Sequence, residues 1–124
     1  MGLPPRYRSI LLAEDDLDVR ECLADVLLEA GCTVVQALDG ADALTKLDEV
    51  ERPCLILLDL VMPRIGGVEF LERLREHPHA SDFSVLLMSA SPDPSGAEDY
   101  PGVVGMLRKP FDVDELLSGV GAHS

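Results

Sequence analysis

Three kinds of side chain suited to phosphate and metal chemistry stand at the ends of short apolar runs. These are the carboxylates of Glu14, Asp15 and Asp59, the hydroxyl of Ser89 and the ammonium of Lys109. Carboxylates brought together repel one another unless a cation neutralises them. A set of oxygen donors with no histidine or cysteine beside it favours a hard ion, and Mg2+ held by one or two carboxylates, waters and a phosphate fits best. An aspartate in that setting can act as the nucleophile toward phosphorus and become an acyl phosphate, while the metal and a lysine offset charge on the transferring oxygens. Taken singly each residue has a plainer role, since acids after a strand cap the next helix, serine ends strands and lysine decorates surfaces. The joint pattern is what points to a site.

The elements that must position these residues are legible. Residues 9–13 form an apolar run without helical period, a buried strand, ending in Glu14-Asp15-Asp16. Val19, Leu23, Val26, Leu27 and Ala30 then recur at helical spacing, with Gly31 as a stop. Residues 33–37 are short and β-branched, Asp39-Gly40 is turn chemistry, and Ala41, Leu44, Leu47 and Val50 mark a second helix. The run from Cys54 ends in Asp59, and after a loop with Gly66 and Gly67 a third helix carries Val68, Leu71 and Leu74, stopping near His77-Pro78. Residues 84–88 read as a fourth strand ending in Ser89, and residues 103–107 as a fifth, left through Lys109-Pro110. Asp112 and Glu115 form a capping pair for a last helix with Val113, Leu116, Leu117 and Val120 inward.

Strands alternating with helices predict an α/β fold, a flavodoxin-like doubly wound five-stranded parallel sheet of order 2-1-3-4-5. Strands 1 and 3 are then neighbours at the switch point, which brings Glu14, Asp15 and Asp59 to one crevice. The fourth crossover breaks the rhythm. Residues 91–102 carry three prolines and two glycines in twelve positions. An interior proline costs a helix about 3 kcal/mol and a glycine about 1 kcal/mol relative to alanine. The fourth helix is therefore expected to be short, displaced or disordered, with at most one turn around Ala97 to Tyr100.

Composition narrows the function. With 124 residues the chain predicts one domain over 1–124, with residues 1–7 a frayed lead-in and no output domain. Apolar runs of four or five residues are far short of the roughly 20 that cross a bilayer, and no secretory leader is visible, so a cytoplasmic protein is expected. A formal charge of −13 argues against direct contact with nucleic acid or anionic lipid. Cys22, Cys32 and Cys54 have no Cys-x-x-Cys spacing and are expected as reduced core thiols. His77, His79 and His123 lack metal-ligand spacing.

Four segments carry a resemblance: ILLAEDD at 10–16 with Arg20, LLDLVMP at 57–63 with Gly67, MSA at 88–90 and KPF at 109–111. With them the chain resembles the receiver domain of bacterial two-component response regulators over nearly its whole length. The resemblance implies that Asp59 is the phospho-acceptor, that Glu14 and Asp15 bind Mg2+ with Asp59, and that the Val61 carbonyl adds a backbone ligand. Arg20, five residues after Asp15, selects Glu14-Asp15 over Asp15-Asp16 as the pair and leaves Asp16 to start the helix. Ser89 and Lys109 become the catalytic and readout partners of the phosphoryl group, and the Lys109-Pro110 bond is expected to be cis. The implied donor is a phosphohistidine on a sensor histidine kinase or histidine phosphotransfer protein, the implied state a monomer or weak homodimer. Such a domain catalyses its own phosphoryl transfer and slow dephosphorylation, with no separate substrate turned over.

Two departures follow. Relatives commonly place Tyr or Phe three residues before the lysine, as a switch ring, and here that position is Met106. The proline-rich fourth crossover also alters the usual signalling and dimerisation face. These departures support the alternative of a phosphorylation-independent receiver-like protein-interaction module. A Mg2+-dependent phosphohydrolase fits poorly, because its acid/base two residues after the nucleophile is here Val61. A flavin site fits poorly too, because acids follow the first strand where a phosphate wants backbone donors.

Overall fold

The computed structural model describes residues 7–62, 64–90 and 96–122. The expected fraying of residues 1–6, Pro63, the first five residues of the proline-rich stretch and His123 lie outside these. Apolar runs bounded by polar residues fold into β1 (Ser9–Ala13), β2 (Val34–Ala37), β3 (Cys54–Asp59), β4 (Phe83–Ser89) and β5 (Val103–Arg108). The helices are α1 (Leu17–Glu29), α2 (Gly40–Lys46), α3 (Gly67–Arg75) and α4 (Val113–Ala122). All strand pairs are parallel, in the order β2-β1-β3-β4-β5, so the doubly wound sheet of the sequence reading is the fold observed.

Successive strand residues face opposite sides, and both sides are covered. Leu11, Ile56, Leu58, Val85 and Leu87 meet Ala43 and Leu47 with Phe70, Leu71 and Leu74, the α2 and α3 side. Ile10, Leu12, Leu55, Leu57, Leu86 and Met88 meet Ala24 and Leu27 with Leu116 and Val120, the α1 and α4 side. The three central strands are buried almost end to end, which fixes the strand ends rigidly.

Helix ends follow local chemistry. Asp16 caps α1, its carboxylate accepting the Val19 N–H at 3.1 Å, and Gly31 leaves the helix at φ 93°, where a side chain is strained. In α4 the capping pair is reciprocal: Glu115 N–H donates to Asp112 at 2.8 Å and Asp112 N–H to Glu115 at 3.4 Å. Lys109-Pro110 is cis as expected, and Arg52-Pro53 is cis as well.

Among the described residues, the β4–β5 crossover holds one 3-10 turn, Ala97–Asp99. Ala97 is fully buried in the α3-side core, and the Tyr100 hydroxyl donates to Glu72 on α3 at 3.2 Å. The expected short fourth helix is thus a single turn pinned at both ends.

Three inward assignments are corrected. Val19 and Val113 are exposed, because the first turns of α1 and α4 lie past the carboxyl edge of the sheet. Cys22 is exposed on α1, whose buried residues are Ala24 and Leu27, so it is no core thiol. Cys54 is buried and Cys32 half-buried.

Candidate functional site

Four of the five strand ends deliver groups to the crevice at the carboxyl edge. The Glu14 N–H extends the β1–β2 ladder by bonding the Ala37 carbonyl at 3.2 Å, which carries the Glu14 side chain into the interior at 1% exposure. Asp15, next along, is exposed at the rim. Asp59 is the last residue of β3 and only 6% exposed, and the Leu60 N–H beyond it still bonds the Met88 carbonyl. Ser89 ends β4, buried, and its carbonyl accepts the Lys109 N–H at 2.7 Å, setting the root of the lysine beside it.

Four of the expected side chains, Glu14, Asp15, Asp59 and Lys109, come together. Carboxylate oxygens of Glu14, Asp15 and Asp59 all lie within 4.8 Å of one another. Lys109 Nζ donates to Glu14 Oε1 at 2.8 Å and to Asp59 Oδ2 at 2.9 Å. The second oxygen of each acid is also used: Glu14 Oε2 accepts the Asp16 N–H at 3.2 Å and Asp59 Oδ1 the Val61 N–H at 3.0 Å. Asp16 thereby serves α1, and the pair facing Asp59 is Glu14 and Asp15.

Electrostatics follow from this crowding. Burial pushes the Glu14 carboxyl above its ordinary range, and the neighbouring Asp59 adds to the rise, although the Lys109 bond works against it. Burial also opposes the charge on Lys109, but its bonds to Glu14 and Asp59 outweigh that and hold the ammonium above its usual range. One ammonium thus sits between two of three clustered acids. This is the place where a cation is needed, and the donor set, all oxygen, suits Mg2+.

Around the crevice lie residues of a different kind. Val61 is 79% exposed, and Leu17 at the start of α1 and Leu38 in the loop after β2 are about half exposed. A groove of about 560 Å³, lined by Val19, Leu23, Ala90, Lys109, Pro110 and Phe111, opens beside the lysine. Met106 is half-buried in β5, opposite Leu87 and packed on the α3-side core.

Several supporting contacts were not foreseen. Arg20 Nη1 donates to the Glu14 carbonyl at 2.9 Å and Nε to Gln36 at 3.2 Å; its spacing was noted, its partners were not. Arg64, at φ 66°, pairs at 3.3 Å with Asp39, a buried residue that also caps α2. At Gly40 a Cβ would collide with the Ile65 carbonyl, so α2 lies directly against the loop that follows Asp59. His77 bonds Asp48 at 2.9 Å and meets Phe83 edge-on, joining the far ends of α2 and α3.

Comparison with known proteins gives the family. The family described as response regulator receiver domain matches residues 10–120. The DNA-binding dual master transcriptional regulator RpaA of Synechocystis is 35% identical over 91% of this chain and 47% of its own length. Protein PilG of Pseudomonas aeruginosa is 30% identical over 93% of this chain and 86% of its own length. The chemotaxis protein CheY4 of Vibrio cholerae superposes with a TM-score of 0.83 at 27% identity, over 92% of this chain and 96% of that one. This chain therefore spans about half of RpaA but most of PilG and CheY4. Among the described residues no helix is long and apolar enough to cross a membrane. From the strand order to the acids and lysine at its carboxyl edge, the chain belongs to the receiver domains of two-component response regulators.

Proposed function

We propose that this chain accepts a phosphoryl group on Asp59 from a phosphohistidine of a sensor histidine kinase or histidine phosphotransfer protein. The observation that carries the reading is the cluster of Glu14, Asp15 and Asp59 oxygens within 4.8 Å, with Lys109 bonded to both buried acids. In the transfer an Asp59 oxygen bonds to phosphorus as the donor's N–P bond breaks, and the imidazole leaves with the electron pair. Glu14, Asp15, Asp59 and the Val61 carbonyl would hold Mg2+, which would supply positive charge against the acids and the transferring oxygens. Lys109, kept charged where it stands, follows a phosphoryl oxygen, and the Ser89 hydroxyl donates to another. The domain assists its own phosphorylation and slow hydrolysis and turns over no separate substrate.

The donor is a protein rather than a small metabolite. Leu17 at the start of α1, Leu38 after β2 and Val61 after β3 stand at strand ends that the strand order sets side by side, and the groove by Phe111 adjoins them. Apolar side chains on such a rim suit a protein surface. A formal charge of −13 sets this chain apart from direct DNA binding, the activity in RpaA's name. We read it as a cytoplasmic receiver switch, monomeric or weakly dimeric.

Incubation with acetyl phosphate and Mg2+, followed by intact mass, tests the proposal. One added phosphoryl group is expected, and Asp59→Asn abolishes it. A label that survives that change, or no label at all, would falsify the reading. The second reading, a docking module independent of phosphorylation, draws on Met106 and the one-turn crossover. Methionine fills gaps without a polar handle, so Ser89 movement is reported weakly at the outer face. A large two-position swing of Met106 coupled to Ser89 with a phosphoryl mimic would sink that weakened switch.

A further inference from the structure

We propose that Arg20 is a positioning residue for the acid pair: through the Glu14 carbonyl it sets the Glu14–Asp15 peptide so that both carboxylates turn toward Asp59. This rests on the reading of Glu14, Asp15 and Asp59 as the Mg2+ ligands. Arg20 stands in the first turns of α1, yet its guanidinium reaches off the helix to two different strands. Nη1 donates to the Glu14 carbonyl at 2.9 Å, at the point where β1 ends, and Nε donates to Gln36 of β2 at 3.2 Å. The fork of the guanidinium makes both bonds in one rigid geometry, which a lysine cannot reproduce. The peptide it grips is the one joining the buried acid to the exposed acid. Glu14 is held on its other sides by its N–H to Ala37 and by Lys109 and the Asp16 N–H on its carboxylate. The guanidinium adds the carbonyl, and with it the direction in which the chain leaves for Asp15.

The sign of the effect separates positioning from simple charge. Arg20 places a cation near a cation site, so by Coulomb's law alone its removal strengthens Mg2+ binding. If it holds the ligands in place, its removal weakens binding, as loss of outer-shell partners does by about 10- to 100-fold.

The experiment is calorimetric titration of the whole chain with MgCl2, without phosphodonor, for wild type, Arg20→Met and Arg20→Lys. Circular dichroism and urea midpoints confirm that each variant is folded. Positioning predicts about a tenfold or greater rise in Kd for Arg20→Met and a smaller rise for Arg20→Lys. An unchanged or lower Kd in Arg20→Met overturns the proposal. If Arg20→Met does not fold, Arg20→Lys decides: it keeps the charge, so a wild-type Kd is the charge-only result and overturns positioning, while a weaker one supports it. A wild-type chain that binds no Mg2+ overturns the ligand set itself and this inference with it; normal wild-type binding with unaltered variants removes only the role of Arg20.

Discussion

The crevice and the β4–β5 crossover lie at successive points of the same sheet and are built on opposite principles. The crevice takes Glu14 and Asp15 from the end of β1, Asp59 from β3, Ser89 from β4 and Lys109 from beyond β5, and three of these four strands, β1, β3 and β4, are buried on both faces. The crossover has no such frame. Among its described residues one 3-10 turn is held by the buried Ala97 and by Tyr100 on Glu72. Chemistry at a strand end needs only the sheet, whereas a signalling surface needs whatever connects the strands. A chain can thus keep the first while altering the second.

The contrast is broken most directly at Asp59. Asp59→Asn is expected to remove all labelling by acetyl phosphate, while Tyr100→Phe leaves labelling intact; loss in both variants would mean that the two regions are not separable.

Next comes Lys109→Ala, which leaves Glu14 and Asp59 facing one another without their shared ammonium. Breaking a buried pair costs about 3–5 kcal/mol, and the partial exposure of Lys109 brings the expectation to about 1–3 kcal/mol at neutral pH, read by urea unfolding. The pH dependence has a definite sign. Glu14, raised in the fold above 4.5, favours folding in its protonated form, so that contribution is present below 4.5 and lost as pH rises through its folded value. Lys109 offsets the loss, and its own raised pKa keeps that offset until pH climbs past 10.5 through its folded value. The deficit of Lys109→Ala is therefore largest at neutral pH and shrinks on acidification; a deficit constant down to pH 4 would be evidence against it.

Gly40→Ala tests the contact between α2 and the loop after Asp59. The new methyl meets the Ile65 backbone, which cannot swing away as a side chain can, and overpacking of this kind costs about 1–3 kcal/mol. A fall in urea midpoint with slower phosphorylation is expected, since the displaced loop carries Val61.

The smallest effects are at exposed contacts. Tyr100→Phe should leave the urea midpoint nearly unmoved while amides of the 96–102 segment exchange faster, and unchanged exchange there would show that Ala97 alone pins the turn. Asp42 is held below its ordinary 3.8 first by its bond to Lys46, while burial works against this and the Leu38 N–H adds to it. A depressed carboxyl contributes above 3.8 and loses that contribution as pH falls through its lower folded value. Asp42→Asn should thus lose a little stability at neutral pH and match wild type in strong acid.

Much of this molecule was legible because its local signals agree. The runs ending at Ala13, Asp59 and Ser89 were bounded by polar residues, so their strands came within a residue or so of those observed. The Asp112 and Glu115 spacing announced its own reciprocal cap, and the prolines of the fourth crossover announced a short helix, of which one 3-10 turn stands among the described residues. Periodicity erred at Val19 and Val113, where the helical pattern is real but the sheet has already ended. It erred again at Cys22, because an apolar neighbourhood in sequence says nothing of which side of a helix a residue takes.

Alone, the sequence determined the alternation of strands and helices and the acids, serine and lysine at strand ends. These follow from periodicity and chirality, which act over a few residues and a single crossover. Only the tertiary structure decided that Lys109 bridges Glu14 and Asp59, that Arg20 grips the Glu14 carbonyl, and that Gly40 lies against Ile65. Those contacts join residues up to 95 positions apart and depend on side-chain reach and backbone approach to within an ångström. No local pattern encodes such distances; the packed sheet fixes them.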